Sequence, residues 1–273
     1  MIVVDLIGGL GNQMFQYAAA KALAVEKKQK LFVNTDAFKT YKLHQYGLHH
    51  FNISANIFEK PNKYVNFLRR QLYASAQYRE VEFSYNEAFF SLNAADIFLT
   101  GYFQSEKYFS RIASQIRKDF EICSPLKKNT KDLLLKMQAI NSVSIHIRRG
   151  DYIGNPVHET DNGAYYQKAI KTIQSAVEQP VFFVFSDDMA WVKENLFIEN
   201  ETVFVDFNDA LSNFEDLKLM SACKHHIIAN SSFSWWGAWL DPNPEKIVTA
   251  PEKWFNGSSF NSIDVIPNSW IKL

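Results

Sequence analysis

Short apolar strands alternate with helices along most of this chain, and this alternation constrains the fold more than any other feature. The first series begins with a strand over 2–6, a glycine-rich turn at 8–11 and a helix over 12–27. A second series begins with a strand over 143–147 and continues toward the end of the chain. Strand–helix–strand units form parallel sheets with crossover helices. We therefore predict an α/β fold in two halves, divided near residue 141.

The composition excludes several classes of protein. The 273 residues carry 29 basic and 29 acidic side chains, so no overall positive field would attract nucleic acid. No window approaches the roughly 18 apolar residues of a transmembrane helix. Cys123 and Cys223 form no CxxC pair, which is typical of a reducing compartment. We expect a cytoplasmic protein without a nucleic-acid partner or a transmembrane segment; peripheral attachment to the inner membrane face stays open.

The strand over 143–147 leads into the residues that most strongly indicate a ligand site. Alternation places His146 and Arg148 on the same face, and Arg149 and Asp151 follow in a glycine turn. Cations at such a strand end bind anionic ligands in α/β proteins. An ion pair with Asp151 would account for one arginine but not for both, because adjacent guanidinium groups repel unless an anion lies near them. We therefore predict a diphosphate site.

Polar residues also follow two later strands. Asp187 and Asp188 come after the apolar strand over 181–185, and Ser231 and Ser232 precede an aromatic helix. We expect one aspartate to cap the next helix and the other to bind a guanine edge or a ribose. The serine hydroxyls and the free N–H groups of a helix start suit phosphate oxygens, although an ordinary serine cap would explain the same residues.

The glycine turn at 8–11 allows two interpretations. Gly9 and Gly11 let the backbone approach a ligand, and the helix start offers N–H groups to an anion. The dinucleotide-binding fingerprint fails, however, because Met14 stands where that pattern needs glycine. Alternatively, the turn is purely structural and Asn12 caps the helix.

The chain offers little for a metal site. It contains no Asp-x-Asp sequence, and the histidine pairs at 49–50 and 225–226 lack the spacing of zinc ligands. We therefore expect no metal ion.

Five motifs occur in order along the chain. They are GGLGNQMFQYA at 8–18, TGYFQSEKYF at 100–109, SIHIRRGDY at 144–152, FSDD at 185–188 and IIANSSFSWWGAWL at 227–240. Together they resemble the α-1,2-fucosyltransferases of glycosyltransferase family 11. The likeness spans almost the whole chain, and the short length resembles the bacterial branch.

The resemblance implies a GT-B-like fold, in which two Rossmann-like domains face a central cleft. Residues 1–140 would form the acceptor-side domain and residues 141–273 the GDP-sugar-binding domain. The implied reaction is inverting, metal-independent transfer of L-fucose from GDP-L-fucose to O2 of a terminal β-galactoside. GDP-L-fucose is a substrate, and no cofactor is implied. The acceptor glycan stays open, lipid-linked or free, and so does the middle region over 41–91.

The resemblance also implies roles for single residues. Arg148 would hold the β-phosphate with His146 close to the nucleotide, and Asn12 would reach the reaction centre. The proton acceptor stays open between Asp151, His146 and the leaving phosphate. The predicted catalytic residues are thus Arg148, His146, Asp151 and Asn12. The predicted donor-binding residues are Gly9, Gly11, Arg148, Arg149, Asp187, Asp188, Ser231, Ser232 and Phe233, with Asp187 or Asp188 recognising guanine.

Two other functions compete with this one. The first is a GT-B transferase that uses another nucleotide sugar, which a panel of donors would separate from a fucosyltransferase. The second is a non-catalytic module that binds a nucleotide or a glycan, which release of free GDP in the presence of acceptor would exclude.

Overall fold

The computed structural model describes residues 1–40, 43–60, 74–159, 163–257 and 260–273. The chain divides into two compact units, residues 1–123 with 261–265 and residues 124–260 with 266–273. Each unit contains one sheet, and the named strand pairs within the described residues are all parallel. The predicted α/β architecture is confirmed.

The first unit is a five-stranded sheet with helices. Its strands are β1 (Ile2–Asp5), β2 (Leu31–Asn34), β3 (Asn56–Ile57), β4 (Ser75–Arg79) and β5 (Asp96–Thr100), in the order β3-β2-β1-β5-β4. Its α-helices in the described part are α1 (Leu10–Lys27) and α2 (Ala113–Asp119). The strands β3 and β4 fall within the unassigned middle region, of which residues 41–42 and 61–73 lie outside the described residues.

The second unit is a six-stranded sheet. Its strands are β6 (Ser142–Ile147), β7 (Val181–Ser186), β8 (Thr202–Phe204), β9 (His225–Ile227), β10 (Val248–Ala250) and β11 (Ile271–Lys272), in the order β11-β10-β9-β6-β7-β8. Its α-helices are α3 (Lys128–Gln138), α4 (Gly163–Ala176), α5 (Met189–Asn195), α6 (Asn213–Ala222) and α7 (Ser232–Leu240). The strand order reverses between β6 and β9, and ligands bind outside the carboxyl ends of strands at such a reversal.

Strand β6 is covered on both faces. Val143, Ile145 and Ile147 pack in one cluster with Ile170 and Ile173 of α4. On the opposite face, Ser144 and His146 are buried too, whereas Arg148, just past the strand, is partly exposed. Parallel sheets carry helices on both sides, which leaves neither face of a central strand open to solvent.

The division between the units differs from the predicted one at residue 141. The contacts of the chain separate Cys123 from Ser124, so that α3 belongs to the second unit. The backbone N–H of Lys127, just before α3, donates to Glu215 of α6 at 2.9 Å. The assignment of acceptor and donor roles to the two domains stays a prediction.

The segment that precedes α2 is not a regular α-helix. The chain forms two 3-10 turns, Glu106–Tyr108 and Ser110–Ile112, before α2 begins. The adjacent aromatic side chains of Tyr108 and Phe109 are both buried, and this favours irregular turns over one amphipathic helix face. Within the described ranges, no helix has the length and apolarity that crossing a bilayer requires.

Candidate active site

Two pairs of charged residues meet where strands β6 and β7 end. Arg148 and Arg149 follow β6, and Asp187 and Asp188 follow β7 with Ser186 as its last residue. The two strands are parallel neighbours, so their carboxyl ends lie at the same edge of the sheet. The topology therefore brings four of the predicted site residues together.

Arg148 contacts two carboxylates. Its Nε donates to Asp151 Oδ1 at 2.9 Å, and its Nη2 lies 2.6 Å from the same oxygen. Its Nη1 lies 3.2 Å from Asp187 Oδ2, and 25% of the side chain is exposed. A guanidinium group has five N–H donors in a fixed fork. Arg148 is therefore oriented by the protein and keeps donors for an anionic ligand.

Arg149 has a carboxylate partner of its own. Its Nε lies 3.1 Å from Asp188 Oδ2, and its guanidinium carbon lies 3.5 Å from the ring centre of Trp191. Its backbone N–H donates to Asp187 Oδ1 at 2.9 Å. The predicted ion pair of one arginine with Asp151 is confirmed for Arg148. The expectation that the second arginine requires a bound anion is wrong, because Asp188 of the neighbouring strand end pairs with Arg149.

The two aspartates after β7 have different local roles. Asp188 Oδ1 accepts the backbone N–H of Trp191 at 3.2 Å and caps α5. The prediction that one aspartate caps this helix is confirmed. Asp187 instead bridges the backbone of Arg149 and the guanidinium of Arg148. Asp187 is thus part of the arginine cluster.

His146 is buried directly beneath the cluster. Only 5% of the residue is exposed, and its Nδ1 has no hydrogen-bond partner within the described residues. Burial first, and then the charge of Arg148, lower the pKa of His146 to about 4. The ring of Phe233 lies 5.8 Å from the imidazole ring. His146 is therefore a neutral group at pH 7.

The start of helix α7 adjoins the same edge. Ser231 caps the helix, and its Oγ accepts the backbone N–H of Phe233 at 3.4 Å. Tyr152 connects this segment to the arginines: its hydroxyl donates to Asn230 O at 3.1 Å, and Arg148 lies 5.6 Å from its ring centre. The motif around Arg148 contains Tyr152, but the sequence prediction did not assign it a role.

A cavity of about 980 Å³ opens beside the arginines. Its walls include Arg148, Arg149, Tyr152, Trp191 and the amino end of α4. Other residues that line it and were not predicted from the sequence are His158, Lys168 and Lys253. A cavity bordered by guanidinium groups, aromatic rings and a helix start suits a ligand that carries both an anion and a flat ring.

The remaining predicted residues form a separate cluster in the first unit. Gly9 caps α1, and the backbone N–H of Asn12 donates to Gly9 O at 3.0 Å. The alternative in which Asn12 caps the helix is therefore wrong, since Asn12 lies within its first turn. The φ of Gly8 is 77°, and a Cβ there would lie 2.7 Å from Asn12 Nδ2. Gly11 is buried in the same turn.

A serine, a histidine and an aspartate also form a chain in the second unit. Ser144 Oγ lies 2.9 Å from His226 Nδ1, and His226 Nε2 lies 3.1 Å from Asp241 Oδ2. All three residues are buried. A nucleophilic serine must be reachable by its substrate. This chain of hydrogen bonds therefore connects β6, β9 and the end of α7 and serves the fold.

Within the part of the chain that the structure describes, no group of three or more His, Cys, Asp and Glu side chains is placed to hold a metal ion. The carboxylates nearest the arginines contact those arginines instead, namely Asp151, Asp187 and Asp188.

Solved structures share this fold. POFUT1 in complex with GDP-fucose aligns with a TM-score of 0.55 and 12% identity, covering 91% of this chain and 97% of that one. A variant of Arabidopsis thaliana FUT1 in complex with GDP aligns with a TM-score of 0.52 and 10% identity, covering 91% and 70%. The chain therefore has the GT-B-like fold of fucosyltransferases.

Sequence comparisons give the family. Alpha-1,2-colitosyltransferase of Escherichia coli is 36% identical over 100% of this chain and 99% of that protein. O-antigen biosynthesis glycosyltransferase WbnK of Escherichia coli is 35% identical over 98% and 99%. Galactoside alpha-(1,2)-fucosyltransferase 1 of Mico humeralifer is 26% identical over 85% and 63%. The family model named glycosyl transferase family 11 matches residues 1–273. The chain belongs to glycosyl transferase family 11 and is a glycosyltransferase.

Proposed function

We propose that the chain transfers L-fucose from GDP-L-fucose to O2 of a terminal β-galactoside, with inversion and without a metal ion. The observation that carries the proposal is the cluster of Arg148 and Arg149 next to the capped start of α7. Guanidinium groups and the N–H groups of a helix start are the two protein elements that best bind a diphosphate. The cavity beside them has room for a nucleotide.

The reaction that fits this site is one in-line displacement at fucose C1. The O2 hydroxyl of the acceptor forms the new bond, the bond from C1 to the β-phosphate oxygen breaks, and GDP departs. Negative charge grows on the diphosphate as the sugar becomes oxocarbenium-like. Metal ions neutralise such charge in many transferases. Here Arg148 and the N–H group at Ser232, at the start of α7, would do so, because they are fixed before the reaction begins.

The acceptor hydroxyl must lose its proton late in this displacement. His146 is a weak base, since burial and Arg148 lower its pKa to about 4. Asp151 is more exposed, and both of its contacts with Arg148 use Oδ1. We propose that Asp151 or the leaving phosphate accepts the proton, and that His146 supports the nucleotide site as a neutral ring.

Asp187 is our candidate for recognition of the guanine edge, because its contacts tie it to the two arginines proposed to hold the diphosphate, whereas Asp188 caps α5 through Trp191. We expect Asp187→Asn to reduce the preference for GDP over inosine diphosphate by about tenfold or more, since one charged hydrogen bond to the 2-amino group is lost. Asp188→Asn should keep the preference, because asparagine caps helices as well as aspartate does. Competition binding of both nucleotides to each variant measures the ratio. A loss of preference in the Asp188 variant alone would reverse the assignment.

A second candidate is transfer of a different deoxy sugar. The relative named as an α-1,2-colitosyltransferase is 36% identical to this chain, whereas the α-1,2-fucosyltransferase of Mico humeralifer is 26% identical. Colitose differs from fucose by the absence of the 3-hydroxyl group. The arginine cluster is compatible with either donor, because its proposed contacts are with the diphosphate and not with the sugar hydroxyls.

A donor and acceptor panel tests the proposal. The purified chain is incubated with GDP-fucose or GDP-colitose and with free or lipid-linked β-galactosides, in the presence of a chelator. The expected product is an α-1,2-fucosylated galactoside with rates unaffected by the chelator. Transfer only from GDP-colitose would replace the proposed donor, and loss of activity that magnesium or manganese restores would overturn the metal-independent mechanism.

A further inference from the structure

The turn after strand β5 is held by a buried carboxylate from the neighbouring strand. Glu80 directly follows β4, and its Oε2 accepts the backbone N–H of Tyr102 at 2.7 Å and of Phe103 at 2.8 Å. A Cβ at Gly101 would lie 2.4 Å from Glu80 Cβ. Only glycine therefore lets the turn close around this carboxylate.

Phe103 shows that the turn is held in a restrained conformation. Its φ is 53°, in the left-handed region that residues other than glycine rarely adopt. Its ring is fully buried and packs against the rings of Tyr78, Phe89 and Tyr108. Such a conformation persists only where the surroundings enforce it. The bond from its N–H to Glu80 and the packing of its ring do so here.

The same turn fixes Asn12. Gln104 follows Phe103, is buried, and donates through Nε2 to Asn12 Oδ1 at 2.8 Å. Helix α1 supports the turn from its other side, since Gln16 Nε2 donates to Gly101 O at 3.1 Å. The orientation of the Asn12 amide therefore depends on Gln104, and the position of Gln104 depends on the turn.

We propose that Glu80 is a positioning residue for sugar transfer, which acts through the turn at 101–104 and Gln104 to orient the side chain of Asn12. The proposal rests on the proposed function and on the role in sugar transfer that the family resemblance implies for Asn12. Glu80 makes no contact with substrate in this scheme.

The protonation state of Glu80 adds a signature. Burial raises its pKa to about 7 against the opposing effect of the two N–H donors, and its Oε1 is buried without a partner in the described part of the chain. The titratable groups that face it are the hydroxyls of Tyr78 and Tyr108, whose pKa values are also raised. The ionised carboxylate accepts N–H bonds more strongly than the acid. The turn is therefore held most firmly above pH 7.

Kinetics of three variants test the role. Glu80→Ala should lower kcat by about tenfold to a hundredfold, as expected for a misplaced catalytic group, with the KM for the donor within twofold. Glu80→Gln keeps one acceptor oxygen and should lose less kcat. The unmodified chain should show a fall of kcat below pH 7, and this fall should be absent in Glu80→Gln. Glu82→Gln changes an exposed carboxylate two residues away and should match the unmodified chain. A kcat of Glu80→Ala within twofold, or an equal loss in the Glu82 variant, would overturn the proposal.

Hydrogen exchange tests the link without any assay of transfer. The Tyr102 and Phe103 amides should exchange at least about tenfold faster in Glu80→Ala, because their acceptor is gone. Gln104→Ala should lower kcat while both amides stay protected from exchange. This variant tests the link if Glu80→Ala does not fold. The double variant Glu80→Ala/Gln104→Ala should have a kcat no lower than that of the less active single variant. If the unmodified chain transferred no sugar, the proposed function would be overturned, but the link from Glu80 through the turn to Asn12 would stand. If the Tyr102 and Phe103 amides exchanged at the same rate in Glu80→Ala as in the unmodified chain, that link would be overturned whatever the activity.

Discussion

Replacement of Arg148 by lysine is expected to lower kcat by about a hundredfold to a thousandfold, which corresponds to about 2.7–4 kcal/mol of lost transition-state stabilisation. Lysine keeps the positive charge but has a single nitrogen. It cannot contact Asp151 and Asp187 as the guanidinium does and also direct N–H groups at a diphosphate. Initial rates at saturating donor measure the effect, and thermal unfolding measures the fold.

Arg111→Lys is the matched control. Arg111 also lies near a carboxylate, 3.6 Å from Glu26, but 73% of its side chain is exposed, and exposed ion pairs contribute little. The kcat of Arg111→Lys should stay within twofold of the kcat of the unmodified chain. Near-normal turnover of Arg148→Lys would remove Arg148 from the catalytic cluster. If the unfolding temperature of Arg148→Lys fell far enough to explain the lost activity, Arg148 would be assigned a role in stabilising the fold instead.

The sequence predicts the central strands of the sheets well, because these strands are short apolar runs that end at polar or glycine residues. The apolar run before the glycine turn is β1, and the run before Ser186 is β7. The chain is harder to interpret where aromatic residues are frequent. Strand β4 has alternating burial at an edge of its sheet, and its sequence carries no strong apolar pattern. The 3-10 turns before α2 are equally hard to predict from the sequence, because they depend on the tertiary packing of aromatic rings.

The sequence identifies the charged residues of the candidate site but not which of them form ion pairs with one another. The motifs contain Arg148, Arg149, Asp187 and Asp188, yet no spacing in the sequence shows that β6 and β7 are neighbours. That adjacency gives each arginine a carboxylate. Burial of His146 is hidden for a similar reason, because the ring that packs against it, Phe233 of α7, is distant in the sequence.

Acid pH is expected to destabilise the fold through its buried histidines, and His146 should make a large contribution. Its pKa is 6.5 in an unfolded chain and about 4 in the native state. The unfolded chain therefore binds more protons below pH 6.5, so the free energy of unfolding falls as the pH drops from about 6.5 to about 4. The loss from this residue is on the order of 3 kcal/mol, at about 1.4 kcal/mol for each unit of pKa.

Urea unfolding at pH 7.5, 5.5 and 4.5 measures this loss. His146→Gln cannot be protonated, so its free energy of unfolding should fall less over the same range, by on the order of 3 kcal/mol. The change from carboxylates is common to both chains and cancels in the comparison. His49→Gln replaces an exposed histidine and should retain the full dependence. Equal pH dependence of the His146 variant and the unmodified chain would mean that the imidazole takes up its proton at the same pH in the native and unfolded states, beside Arg148. That result would require a bound anion or a carboxylate at the ring and would reopen the choice of His146 as a proton carrier.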